Sequence, residues 1–293
     1  MPIDPEHSPE ATAVASSGDA LRRRSRIEVI PLPSLGRRVG DLPPASRLSV
    51  TSSPAHGVGA TIDATERLRG LGHDATPHLA ARQVESRAQL ADIVARCDAA
   101  GVTEVFFVGG DGKQPAGPYR GALDLAVDYA KASSVIDGFG FTAYPEGHGT
   151  IPGDALSKAL DEKQAFVRSV NGYGYVSTQL CFSAATITAW ARRERARGFT
   201  LPIRLGVPGH VDRIKLAAIA GRLGIGSSLG FLKKNRASVA KLMSAAHFEP
   251  TEIVDSVLDS DSGSELGVEG LHVFSFNNVA PTMTWFDRYL GSR

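Results

Sequence analysis

Short apolar runs rich in β-branched and aromatic residues alternate along this chain with longer stretches whose apolar residues recur at helical spacing. The runs predict strands over 27–30, 47–51, 74–78, 104–108, 138–143, 175–179, 203–206 and 271–276. Between them, Leu90, Ile93, Val94 and Cys97 share one face of a helix opened by a capping box of Ser86 and Gln89. Asp63 and Glu66 give a weaker form of that signal ahead of Leu68, and Ser183 reads as the N-cap of a helix over 184–197. Further helices are expected over 211–221, 231–248 and 249–258, with 259–267 a polar loop.

Eight strands alternating with helices imply parallel crossovers, which need both sheet faces covered. The closed solution is an α/β (β/α)8 barrel, and a doubly wound open sheet is the rival. Three runs hand a polar group to the loop that follows or carry one near their end: Glu28 in Ile27-Glu28-Val29-Ile30-Pro31, Asp111 after Val105-Phe106-Phe107-Val108-Gly109-Gly110, and Gln179 after Tyr175-Val176-Ser177-Thr178. Polar residues at strand ends throughout the chain favour the barrel, whose active sites lie at that face. The expected organisation is one barrel domain over 25–293, preceded by a disordered or loosely docked tail over 1–24.

Composition narrows the partners. The 293 residues are 42% hydrophobic and 22% charged, enough for one large core. A net charge of +1, from 32 basic and 31 acidic residues, gives no general field for nucleic acid. No apolar stretch approaches the roughly 20 residues of a membrane helix. Cys97 and Cys181 fall on separate expected elements, which fits a reducing cytoplasm, and the expected partner is a small-molecule substrate, with no nucleic acid or membrane. The basic run Leu21-Arg22-Arg23-Arg24-Ser25-Arg26 reads as a solvated lead-in, and Trp190, Trp285 and Phe286 as core packing.

Candidate chemistry is sparse outside the strand ends. Gly109-Gly110-Asp111-Gly112 and Gly224-Ile225-Gly226-Ser227-Ser228-Leu229-Gly230 both miss the dinucleotide spacing, although the second could wrap a phosphate ahead of Lys233 and Lys234. No zinc signature or serine-hydrolase elbow is present. His78 and His148 both follow expected strands, where they read either as functional groups or as loop histidines satisfied by backbone. Glu28 lies among Ile27, Val29 and Ile30, so desolvation should raise its pKa; its plainer reading is a carboxylate paired with an arginine.

Seven segments in order resemble the methylenetetrahydrofolate reductase family: Ile27-Glu28-Val29-Ile30-Pro31, Ser49-Val50-Thr51, Ala75-Thr76-Pro77-His78-Leu79, Val108-Gly109-Gly110-Asp111, Ala143-Tyr144-Pro145-Glu146-Gly147-His148, Thr178-Gln179 and His272-Val273-Phe274-Ser275-Phe276-Asn277. The resemblance runs from about Arg26 to Arg293. It implies a (β/α)8 oxidoreductase of one-carbon metabolism and methionine biosynthesis, reducing 5,10-methylenetetrahydrofolate to 5-methyltetrahydrofolate. Glu28 matches the family's catalytic acid, and Asp111 and Gln179 its pterin contacts, with Asp111 also steadying cationic character. Thr51, His78, Tyr144 and His148 match cofactor contacts; Tyr119 and Lys163 extend that set.

The chain also departs from the family. Gly109-Gly110-Asp111 stands where flavin-dependent members carry an arginine-glycine-aspartate run, and the first strand is aliphatic. These departures resemble divergent short actinobacterial-type members that dispense with flavin. They imply direct hydride transfer from NADH or NADPH, with an FAD ping-pong cycle as the alternative. A non-catalytic folate-binding protein, an oxidoreductase on another one-carbon carrier and a methyltransferase-type barrel are the remaining readings.

Overall fold

The strands have two unlike faces because polar and apolar residues alternate along them. A computed structural model of the protein describes residues 17–40, 42–53, 55–212, 247–248, 250–259 and 263–293. Strands β1 (Arg26–Val29), β2 (Arg47–Val50), β3 (Asp74–Ala80), β4 (Glu104–Val108), β5 (Gly138–Ala143), β6 (Tyr173–Thr178), β7 (Ile203–Pro208) and β10 (Val268–Phe274) close into a parallel eight-stranded barrel. Its order around the ring is β1-β10-β7-β6-β5-β4-β3-β2. The expected (β/α)8 fold is therefore present, and each of the eight expected strands is one of its staves.

The outward face is apolar. Ile27, Val29, Leu48, Val50, Val105, Phe107, Phe139, Phe141, Ile203, Leu205, Val207, Leu271 and Val273 are nearly inaccessible and belong to one continuous cluster with the helices. Burying such side chains is worth roughly 1.5–3 kcal/mol each, so the layer between sheet and helices carries most of the stabilisation. Those helices are α1 (Ser17–Arg24), α2 (Leu35–Val39), α3 (Gly57–Gly70), α4 (Arg87–Ala99), α5 (Ala122–Ala132), α6 (Gly153–Ser169), α7 (Ala184–Ala196), α8 (Thr251–Leu258), α9 (Gly263–Leu266) and α10 (Val279–Gly291). Two caps form as the sequence predicts: Ser86 Oγ accepts from Gln89 N–H, and Ser183 Oγ from Thr186 N–H. Trp190, Trp285 and Phe286 are buried in the core.

Several expectations change. Residues 17–24 are helical and docked, with Leu21 buried and Arg22 paired to Asp287 at 2.6 Å. Asp63 and Glu66 do not open a helix, because α3 starts at Gly57; both instead pair with Arg96 on α4. The helix expected over 211–221 begins instead as strand β8 (Val211–Asp212), antiparallel to β9 (His247–Phe248). The rest of that segment, the glycine cluster at Gly224–Gly230 with Lys233 and Lys234, and nearly all of 231–248 lie outside the described residues. The last strand stops at Phe274, since Phe276 and Asn277 take left-handed φ values of 48° and 61°. No helix among the described residues is long and apolar enough to cross a membrane.

Candidate active site

The inward face of the barrel is polar, and its lower layer is a closed ionic network. Arg26 Nε donates to Glu104 Oε1 at 2.9 Å, Arg204 Nη1 donates to the same oxygen at 2.9 Å, and Tyr175 O–H donates to it at 2.8 Å. Arg26 also reaches Asp74, which pairs with Arg47 and Arg69. The three partners of Glu104 come from strands that do not neighbour β4, so those bonds cross the lumen. Burial alone would raise the Glu104 carboxyl, but Arg26 and Arg204 outweigh it and hold it far below the usual carboxylate range. Arg26, expected as the end of a solvated run, is 2% exposed. Its position one residue before an apolar–acid–apolar alternation was the available signal.

Above this floor sits a cluster that the sequence only half disclosed. Glu28 Oε2 lies 2.8 Å from His272 Nε2 and 3.9 Å from His78 Nδ1. The rings of His78 and His272 are 5.4 Å apart, and the Phe106 ring lies tilted against both, at 4.6 Å and 5.6 Å. Burial pushes Glu28 up to about 7, with only partial opposition from His78. Burial likewise pushes His78 and His272 down to about 3; for His272 the Arg204 and Arg26 charges add to it. Both imidazoles are therefore neutral. A neutral His272 serves Glu28 in either state, accepting from a carboxylic O–H or donating to a carboxylate by exchanging tautomers. The arginine partner that offered the plainer reading of Glu28 is taken by Glu104 and Asp74 instead.

Space for this cluster comes from a glycine. Gly140 faces the lumen beside Phe106, and a Cβ there would strike the Phe106 and Tyr175 rings. The turn after β10 fixes the Glu28 backbone. Ser275 O–H donates to the Glu28 carbonyl at 2.5 Å, and Asn277 clamps the backbone of Ile30 with both ends of its amide. His272, Ser275 and Asn277 stood in the sequence only as parts of a motif without roles of their own.

The other expected site residues gather at the C-terminal ends of the strands. Thr51 follows β2 and its amide bonds the Val29 carbonyl. Asp111 is exposed after β4 and close enough to Tyr144 for its charge to help raise that phenol, which burial raises first. Tyr144 meets the His148 ring edge-on at 5.1 Å. Gln179 N–H bonds the Ala143 carbonyl, and its Oε1 accepts from Leu180 N–H at 2.9 Å. Asp111, Tyr144, His148 and Gln179 thus follow β4, β5 and β6 at one end of the barrel, while Glu28 and His78 sit within β1 and β3. Tyr119 is buried with its O–H on Asp128. Lys163 is buried on α6, donates to the Thr142 carbonyl at 3.1 Å, and lines a cavity of about 70 Å³ with Tyr144, Ser157 and Glu194. Burial lowers its ammonium to about 8.

Glu28, His78 and His272 each present one donor atom within 4.8 Å of the others, the one such group of three metal-capable side chains among the described residues. The nicotinamide and flavin expectations rested wholly on the family resemblance, and the donor set found here is that of a metal or a proton relay.

No protein-family model matches the chain. Solved structures of similar fold include a protein described as a phosphonomutase from Burkholderia cenocepacia J2315, at 13% identity and TM-score 0.46, covering 94% of this chain and 98% of that one. Oxaloacetate acetylhydrolase aligns at 10% identity and TM-score 0.46, covering 89% and 78%; its complex with 3,3-difluorooxalacetate aligns at 11% and 0.46, covering 91% and 81%. Likenesses this distant assign no activity. The expectation drawn from the seven segments is overturned all the same, because no family model, that of the methylenetetrahydrofolate reductases included, matches the chain, and none of these structures is such a reductase. With that resemblance fall the oxidoreductase activity on folate, its place in one-carbon metabolism and methionine biosynthesis, the NADH, NADPH and FAD cofactors, and the folate-binding alternative. The physical reason is that the segments are short barrel-strand ends, and such ends recur wherever the fold does.

Proposed function

We propose that this chain is a barrel enzyme of general acid–base chemistry, with Glu28 as the group that gives and takes the proton and His272 as its partner. The carrying observation is the 2.8 Å contact between Glu28 Oε2 and His272 Nε2 inside the barrel, beside the Phe106 ring. A carboxyl lifted to about 7 is divided between acid and base near neutral pH, which suits both directions of transfer. Asp111, Gln179, Thr51, Tyr144 and His148 at the mouth are the groups proposed to hold the substrate.

Two features support a small, anionic carbon acid as substrate. Phe106, Tyr175, His78 and His272 leave the lumen narrow. Beneath Glu28, the guanidinium groups of Arg26, Arg47 and Arg204 outnumber the carboxylates of Asp74 and Glu104. Cys97 and Cys181 are buried thiols that form no disulfide, which supports the cytoplasm as the compartment.

The test is solvent exchange. The protein is incubated in D2O with a panel of small oxo and hydroxy acids, and deuterium entering carbon is read by NMR. Exchange into one member, cut about 100-fold or more by Glu28→Gln, is the expected result. Exchange that survives Glu28→Gln unchanged would remove Glu28 from the chemistry, and a panel without exchange would remove the substrate class.

A further inference from the structure

Three strands that are far apart in sequence deliver two imidazoles and one carboxylate to a single point in the lumen. Glu28 comes from β1, His78 from β3 and His272 from β10, with all three donor atoms inside 4.8 Å. Donors on a shared metal ion at about 2.0–2.2 Å stand roughly 3 Å apart, so the 2.8 Å and 3.9 Å separations from Glu28 need only small side-chain rotations to close on one ion. No hydrogen bond among the described residues fixes the His78 ring: Nδ1 faces Glu28 at 3.9 Å, beyond hydrogen-bond reach, and the other nitrogen, Nε2, is buried without a partner, although such a nitrogen ordinarily has one. A buried imidazole with an unused lone pair or N–H beside a carboxylate is the side chain a cation would organise.

We propose that Glu28, His78 and His272 form a binding site for one divalent transition metal of borderline softness, of the Zn2+, Fe2+ or Co2+ kind. Two nitrogens and one oxygen disfavour Mg2+ and Ca2+, which take oxygen donors. Three protein ligands on one side leave the remaining coordination positions open, the pattern of a site that admits water or substrate. The positive charge of Arg26 and Arg204 below the site is offset in part by Glu104 and Asp74, and the Glu28 carboxylate supplies the anionic ligand. Ser49, opposite Glu28 on β2, and Thr76, opposite Ser49 on β3, carry buried hydroxyls without partners on the same inward face.

The proposal uses the same pocket as the acid–base reading but does not depend on it, because metal and proton compete for the Glu28 oxygens and binding is read without turnover. The purified, metal-stripped full chain is titrated with Co2+, following heat by calorimetry and visible absorption for the d–d bands of a nitrogen–oxygen site. One ion per chain is expected, with Zn2+ displacing it. Glu28→Gln preserves shape and removes the anionic ligand; together with His78→Ala and His272→Ala it should weaken Co2+ by at least about tenfold. Circular dichroism checks that each variant is folded, and Glu28→Gln stands for the set if a histidine variant is not. A wild-type chain that takes up no Co2+, or one whose binding is unchanged in Glu28→Gln, overturns the site.

Discussion

The side chain of Asn277 closes a ring with the backbone of Ile30: its Oδ1 accepts from the Ile30 N–H at 2.7 Å, and its Nδ2 donates to the Ile30 carbonyl at 3.0 Å. This two-sided clamp ties the exit of β1 to the turn after β10, two residues beyond Glu28. Asn277 makes the clamp from a left-handed backbone, φ 61°, which asparagine tolerates better than other side chains do. Asn277→Ala should cost about 2–4 kcal/mol, from two lost partly buried hydrogen bonds and the strained φ. Asn277→Gly relieves only the φ and should cost less. Urea unfolding of the two variants separates the contributions, and equal losses would mean that the φ preference contributes nothing.

A second expectation follows from burial of Glu28 in the metal-free protein. Its folded pKa, about 7, lies above the unfolded 4.5, so the native state binds the proton more tightly. Stability linked to this group is complete below pH 4.5 and is lost as pH rises through 7, by about 3 kcal/mol in all. Glu28→Gln cannot ionise and should not pay this cost. The variant is expected to gain on wild type between pH 5 and pH 8, as read from chemical denaturation at both values. A gap that stays constant across that range would mean that Glu28 is ionised in the folded chain.

His78 and His272 act in the opposite direction. Both are held neutral to about pH 3 in the fold, whereas an unfolded histidine takes a proton near 6.5. Their contribution is whole above 6.5 and drains away as pH falls toward 3. Replacing His272 by Gln removes one of these groups, so acid unfolding of that variant should begin at lower pH. An acid midpoint that does not move would place the acid sensitivity elsewhere.

How much of this was legible depended on what each residue's neighbours were. The eight staves could be read because their outward residues, such as Val105 and Phe107, form apolar runs with period two. Glu28 stood out because a lone acid among Ile27, Val29 and Ile30 is costly unless it has a use. Arg26, Glu104 and Arg204 obey the same period-two rule, yet each sits at or near a strand start, where a charge usually meets solvent. Only closure of the ring turns those starts inward and makes them one network. His272 could not be paired with Glu28 from sequence, since 244 residues separate them and their meeting is set by the β1–β10 seam. The seven short segments misled for a related reason: a strand end with one polar residue is what any barrel mouth needs, so their order carried fold information that was taken for activity.

Glu104 gives the sharpest test of whether the lower layer is structural. It accepts from Arg26, Arg204 and Tyr175 while being largely buried, and the two guanidiniums it serves are each 2% exposed. Glu104→Gln keeps the shape but leaves two buried cations short of a counter-charge, a loss of about 3–5 kcal/mol when a buried pair is broken from one side. Asp161→Asn is the control, since Asp161 and its partner Arg197 are both exposed and such pairs contribute under about 1 kcal/mol. Equal, small losses in both variants would mean that water reaches the floor of the barrel and screens it. A large loss in Glu104→Gln alone, with Co2+ uptake by the surviving folded protein unchanged, would separate the scaffold from the chemistry above it.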